Sequence, residues 1–167
     1  MILGSIQPDI VYGFSTQLSW RNLDASVAFA GSYGNEVYNA LGRRLELTND
    51  SYNVLATVKD SWTPQNGGNT LPLASNARPI GYIDSRYVQS ASYLKLRNLT
   101  LGYTIGKSQL SVLSSHLSVN SIRLYATATN LFTITPYKGY DPEVASGTDS
   151  GAYPASRTFT FGVNVTL

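Results

Sequence analysis

Residues 10–20 alternate along the chain. Tyr12, Phe14, Thr16, Leu18 and Trp20 share one side of an extended strand, and Val11, Gly13, Ser15, Gln17 and Ser19 share the other. A period of two over this length predicts a β-strand with one largely apolar face and one small, mostly polar face. Arg21-Asn22 predicts a tight turn. Residues 23–34 then repeat the grammar, with Leu23, Ala25, Val27, Phe29 and Tyr33 opposed to Asp24, Ser26, Ala28, Ala30 and Ser32. So short a connection makes the two an antiparallel hairpin.

A long interruption follows, roughly 35–91. Val37, Leu41 and Leu45 recur at four-residue spacing and predict a helix, which Gly42 weakens. A second short helix is expected from Tyr52 to Ser61, with Ser51 as its cap and Val54, Val58 and Trp62 on one side. Residues 63–81 are rich in Pro, Gly and Asn and read as loop. Alternation resumes at Tyr93, where Leu99, Leu101, Tyr103 and Ile105 oppose Asn98, Thr100, Gly102 and Thr104. Lys95 and Arg97 share the apolar parity, so this part of the strand is expected to leave any lipid zone. A polar connection, 107–120, leads to a strand at 121–135, with Ile122, Leu124, Ala126 and Ala128 on one side. A second long loop, 136–155, leads to a last strand at 156–167. There Phe159, Phe161, Val163, Val165 and Leu167 alternate with Thr158, Thr160, Gly162, Asn164 and Thr166.

Five strands with one rule suit either a soluble β-sandwich, apolar face inward, or the wall of a membrane β-barrel, apolar face outward. Three features favour the wall. Tyr and Trp cluster at strand ends, where interfacial girdles belong. Charges fall mostly in the connections. The connections also alternate short, long, moderate, long, which puts both long loops on one side, as in outer-membrane barrels with short periplasmic turns and long extracellular loops. Five strands cannot close a barrel, and an open sheet in lipid leaves edge groups unpaired at several kcal/mol each. A membrane sheet of this length is therefore expected to be the end of a longer protein. The fold class is all-β and antiparallel: about five strands from the C-terminal segment of a large transmembrane β-barrel, with a long extracellular loop carrying short helices.

Composition narrows the chemistry. In 167 residues, only 13% are charged, and 12 basic against 10 acidic side chains leave +2. So small an excess argues against a nucleic-acid partner. There is no cysteine, which removes disulfides and thiolate sites. No apolar run approaches the roughly 18 residues of a membrane helix. The start, Met1–Pro8, lacks the basic region and apolar core of a signal peptide.

No catalytic, cofactor or metal constellation stands out. His116 is the single histidine and lies in a Ser-rich connection without an evident acidic partner. Asp141, Glu143 and Asp149 offer oxygen ligands in one loop, but turn formation and solvation explain them better than Ca²⁺. Asn49, Asn98 and Asn164 begin glycosylation triplets that read as chance, two of them inside expected strands. Gly67-Gly68 is not followed by the Lys-Ser/Thr of a phosphate loop. The loop rings Tyr52, Trp62, Tyr137 and Tyr140 suit sugar stacking, with Trp62, Tyr137 and Tyr140 the candidate ligand residues. Packing of these rings onto the rim or a partner explains them better. Phe159, Phe161, Val163, Val165 and Leu167 form the expected lipid-facing and assembly strand.

Several stretches resemble the ends of the SusC/RagA-like TonB-dependent outer-membrane transporters. They include Ser32-Tyr33-Gly34-Asn35-Glu36-Val37-Tyr38-Asn39, Ser61-Trp62-Thr63-Pro64-Gln65-Asn66 and Ser85-Arg86-Tyr87-Val88. The strongest runs from Ser92-Tyr93-Leu94-Lys95-Leu96-Arg97-Asn98-Leu99 to Tyr103. Ala128-Thr129-Asn130-Leu131-Phe132-Thr133, Tyr137-Lys138-Gly139-Tyr140-Asp141-Pro142-Glu143 and the stretch from Tyr153 to Leu167 complete it. The resemblance implies a barrel of about 22 strands around an N-terminal plug, in the bacterial outer membrane. It implies TonB-driven import of oligosaccharides or peptides together with a SusD-like surface lipoprotein. The plug and the TonB-contacting region are not in this chain. Such proteins commonly end in an aromatic residue read by the barrel-assembly machinery; Leu167 keeps the apolar parity without the ring. The alternatives are a stand-alone soluble binding module and a non-functional remnant.

Overall fold

In a computed structural model of the chain, the structure describes residues 3–47, 53–67, 71–74, 84–110 and 119–167. They divide into two compact units. The first is an antiparallel sheet. Its strands are β1 (Ile10–Trp20), β2 (Leu23–Tyr33), β5 (Tyr93–Gly106), β6 (Ser121–Thr129) and β9 (Thr158–Thr166), in the order β1-β2-β5-β6-β9, with β7 (Thr133–Ile134) also paired to β5. The second collects the segments before β1, between β2 and β5, and between β7 and β9. All three leave from the same end of the antiparallel sheet, as the alternating connection lengths predict.

Register settles which residues share a face. Phe14 lies opposite Phe29, Leu18 opposite Ala25 and Trp20 opposite Leu23. Val27 pairs with Leu99 and Ala25 with Leu101; Leu101 then meets Ala126, which meets Phe161. One apolar face thus crosses all five strands. It is solvent-exposed in the isolated chain, with Phe161 80% exposed and Phe14, Leu18, Leu101 and Val163 also open. A soluble sandwich would bury this face under a second sheet. Among the described residues this face lies open, so the sandwich alternative fails and the sheet is that of a barrel wall. β1 and β2 have 11 residues each. At about 3.3 Å per residue and a tilt near 45°, that length matches an apolar band about 25 Å tall.

The opposite face is small and polar. Arg123 Nε donates to Asp24 Oδ1 at 3.0 Å across Gly102, whose missing Cβ leaves room for both side chains. The Tyr125 ring lies over Gly162. Thr100 and Thr127 pair through their hydroxyls at 3.0 Å.

The expected parity of Lys95 does not hold. Lys95 does not lie on the apolar face. Asn98 pairs with Ala28 but Leu96 pairs with Phe29, so Arg97 is an extra residue. The bulge reverses the parity beyond it. It turns Leu96 and Leu94 to the apolar side and carries Lys95 to the polar face, where it is 2% exposed. The expected strand at 121–135 is likewise broken. Asn130 adopts φ 52°, its amide donates to Arg97 O at 3.0 Å, and Leu96 N donates to Phe132 O at 3.0 Å before β7 resumes. Asn tolerates this left-handed backbone better than most side chains. Arg21, at φ 54° in the first turn, has no such tolerance.

The second unit is mostly irregular. β3 (Glu36–Asn39) pairs antiparallel with β4 (Val88–Ser90) and parallel with β8 (Thr148–Asp149). Val37 therefore lies in a strand rather than the expected helix. The helix α1 (Ala40–Glu46) begins after it, capped by Asn39 Oδ1, which accepts from Gly42 N at 2.6 Å. The second expected helix is a short 3₁₀ turn, Ala56–Asp60, without a side-chain cap. Ser51 and Tyr52 lie outside the described residues, as does His116. Val37, Ala91 and Tyr137 make this unit's small core, with Val144 packed against it.

Candidate functional site

Chain topology gathers the candidate ligand residues in the second unit. Trp62 is 40% exposed; its amide donates to Leu71 O at 2.8 Å. The following turn is locked by Asn66 Oδ1, which accepts from the Thr63 amide at 2.6 Å and its hydroxyl at 2.8 Å. A Thr/Asn clasp of this kind holds a loop with local side-chain bonds in place of a ladder. It presents Trp62 from a fixed backbone. Tyr140 is 66% exposed. Tyr153, which sequence reasoning did not single out, is 92% exposed. Its position between Ala152 and Pro154 in a turn-rich segment was the available signal.

Tyr137 has a different place. Only 6% of it is exposed, and its hydroxyl donates to Asp149 Oδ2 at 2.7 Å. The ring is core and offers no open face for stacking. Asp149 Oδ1 accepts from the Gly151 and Ala152 amides at 2.8 and 3.0 Å. Burial pushes the Asp149 carboxyl up, but the Tyr137 hydroxyl and the two amides outweigh it and hold the group below the usual carboxylate range. Burial and the same bond push the Tyr137 phenol up. Asp149 thus ties loop 136–155 to β3 through β8. Its partners, distant or backbone, leave no pattern in the sequence.

A second tie joins the other side of β3. The Tyr87 hydroxyl donates to Glu46 Oε2 at 2.9 Å, linking the 3₁₀ turn Ser85–Tyr87 to α1. Burial, then this bond, raise the Tyr87 phenol to about 12. Asp84 caps the turn through the Arg86 amide at 3.0 Å and pairs with the Arg86 guanidinium, whose pKa rises mainly through that bond. Asp141 Oδ1 accepts from the Glu143 amide at 3.0 Å, a turn bond. Among the described residues no group of three His, Asp or Glu side chains could hold a metal ion. Asp141, Glu143 and Asp149 are therefore not one ligand set. The arrangement can present rings and hydroxyls on a braced scaffold.

The assembly-strand residues are on β9, apart from Leu167, which follows it. Phe159, Phe161, Val163, Val165 and Leu167 are all exposed on the apolar parity. β9 and β1 are the two sheet edges, and among the described residues each has an unpaired ladder side.

No family model matches the chain. It is 34% identical over its whole length to TonB-dependent receptor P26 of Formosa agariphila, of which it spans 18%. It is 30% identical to TonB-dependent receptor SusC of Bacteroides thetaiotaomicron, over 94% of the chain and 15% of SusC. The fold superposes on the RagAB peptide importer in its closed-closed state with a TM-score of 0.84. That match has 29% identity and covers 98% of this chain and 18% of the other. The chain spans less than a fifth of the proteins it matches. With its apolar outer face, polar inner face and braced long loops, it belongs to the SusC/RagA-like TonB-dependent receptors of the bacterial outer membrane.

Proposed function

We propose that this chain is the C-terminal wall and outer loops of an outer-membrane importer. The importer is energised through TonB and takes oligosaccharides or peptides with a SusD-like surface lipoprotein. The plug and the remaining strands belong to the longer receptor. The barrel-assembly machinery inserts the strand carrying Phe159 to Leu167. The observation that carries the reading is the five-strand sheet with one continuous exposed apolar face and two open edges, which requires lipid and further strands. Similarity to the RagAB peptide importer supports peptides, and similarity to SusC supports the same transport role.

Trp62 and Tyr140 are the ligand-facing rings in this reading, and Tyr137, bonded to Asp149 in the core, braces the loop that carries Tyr140. The test is the full receptor carrying Trp62→Ala and Tyr140→Ala, assayed for binding of its oligosaccharide or peptide cargo. Truncating anchor rings is expected to weaken binding about tenfold or more. Unchanged affinity in a receptor correctly inserted in the outer membrane would remove these rings from the ligand site.

A further inference from the structure

We propose that the short-turn end of the sheet binds the phosphate of an anionic phospholipid through Arg21 and Lys107. The proposal rests on the barrel reading above and concerns lipid rather than cargo. Arg21 occupies the first position of the two-residue turn between Trp20 and Leu23 at φ 54°, a backbone region that favours Gly or Asn. A bulky cation held there is an outlier that points to a role for the side chain. Its guanidinium lies 5.1 Å from the centre of the exposed Trp20 ring, an aromatic-cation pairing suited to the membrane interface.

Lys107 stands on the neighbouring turn. Asn22 Nδ2 donates to Gln109 Oε1 at 3.0 Å and to Thr104 O at 2.6 Å, and Gln109 N donates to Gly106 O at 2.9 Å. These bonds brace the two turns side by side. Both cations are exposed. Among the described residues neither has a carboxylate partner. The acid closest in sequence to Arg21, Asp24, is engaged by Arg123 on the polar face. Directly beyond the turns the apolar face begins with Trp20, Leu23 and Tyr103, all exposed. A ligand that fits has a negative phosphate at the turns and hydrocarbon along the strands. A phospholipid has both. The short turns of outer-membrane barrels are periplasmic, which assigns the lipid to that leaflet.

The test uses the full receptor, delipidated in neutral detergent, with bound lipid counted by native mass spectrometry. Short-chain phosphatidylglycerol, short-chain phosphatidylcholine and inorganic phosphate are titrated separately. Phosphatidylglycerol should bind about fivefold more weakly for each cation removed in Arg21→Asn and Lys107→Gln, and phosphatidylcholine, whose phosphate is offset by its own ammonium, should lose less. Arg21→Asn places a residue that tolerates the backbone, so the turn stays folded while the charge goes. Equal phosphatidylglycerol binding in parent and variants would overturn the proposal. So would inorganic phosphate occupying the site as well as the lipid, since the hydrocarbon would then contribute nothing. A receptor found in the aqueous fraction would overturn the barrel reading itself, and this proposal with it.

Discussion

Replacing Asp149 by alanine removes the acceptor of three hydrogen bonds at once. The Tyr137 hydroxyl is buried with it, and the Gly151 and Ala152 amides are partly buried. An unpaired buried donor costs about 1–3 kcal/mol, and amides that reach water cost less, so the loss expected for this unit is about 2–4 kcal/mol. Tyr137→Phe deletes one bond to a charged acceptor and leaves the two amides in place; its expected cost is about 1.5–3 kcal/mol. Both variants break the same Tyr137–Asp149 bond, so the double variant should fall short of the sum. The assay is the rate of protease nicking within residues 136–155 of the membrane-embedded receptor. If opening is fast, a loss of about 2 kcal/mol raises the rate about thirtyfold. The pH dependence follows from the sign of the shift. The folded carboxyl titrates below its unfolded value of about 3.9, so its contribution is present above that pH and is lost as pH falls through the folded value. Nicking should therefore accelerate in acid for the parent and lose that inflection in Asp149→Asn. Equal nicking of Asp149→Ala and parent, or additive costs in the double variant, would refute the role given to this bond.

Other consequences are open to direct measurement. Val163→Arg places a charge at mid-strand on the apolar face, where it costs about 2–4 kcal/mol near the bilayer midplane; outer-membrane levels of the variant should drop sharply, and normal levels would mean the facing is reversed. Gly162→Ala puts a Cβ against the far end of the Tyr125 phenol. Only the far end of that side chain has to move, so the temperature of heat-modified migration should fall by the equivalent of about 1 kcal/mol or less, and Tyr125→Ala should relieve most of that loss. Asn39→Ala removes the cap of α1 and should cost about 0.5–2 kcal/mol, read as faster nicking between residues 40 and 55.

The all-β class, the hairpin and the last strand were legible because a period of two maps directly onto the two faces of a sheet. Tyr12 to Trp20 and Phe159 to Val165 obey it without interruption, and β1 and β2 match the expected spans to within one residue. Local pattern also placed both long loops at one end, since antiparallel order alone requires it. The irregular positions were not legible. Lys95 followed the wrong parity because a single extra residue, Arg97, reverses every side chain beyond it, and a bulge is defined by the partner strand. Val37 carried a helical spacing yet joined β3, since pairing with Gln89 and burial against Ala91 and Tyr137 outweigh a weak local preference.

The candidate site divides in the same way. Sequence identified the rings of the long loops by residue type, because aromatics in turn-rich polar segments need a reason to be there. It did not separate Tyr140 from Tyr137, three residues apart and set in similar loops. Tertiary structure decides that one ring is open and the other is core, through a buried hydroxyl bond to Asp149, twelve residues further on. Alternation is a property of each strand and survives in the sequence. Burial of a loop residue depends on which distant segment returns to cover it, and that is decided only when the chain closes on itself.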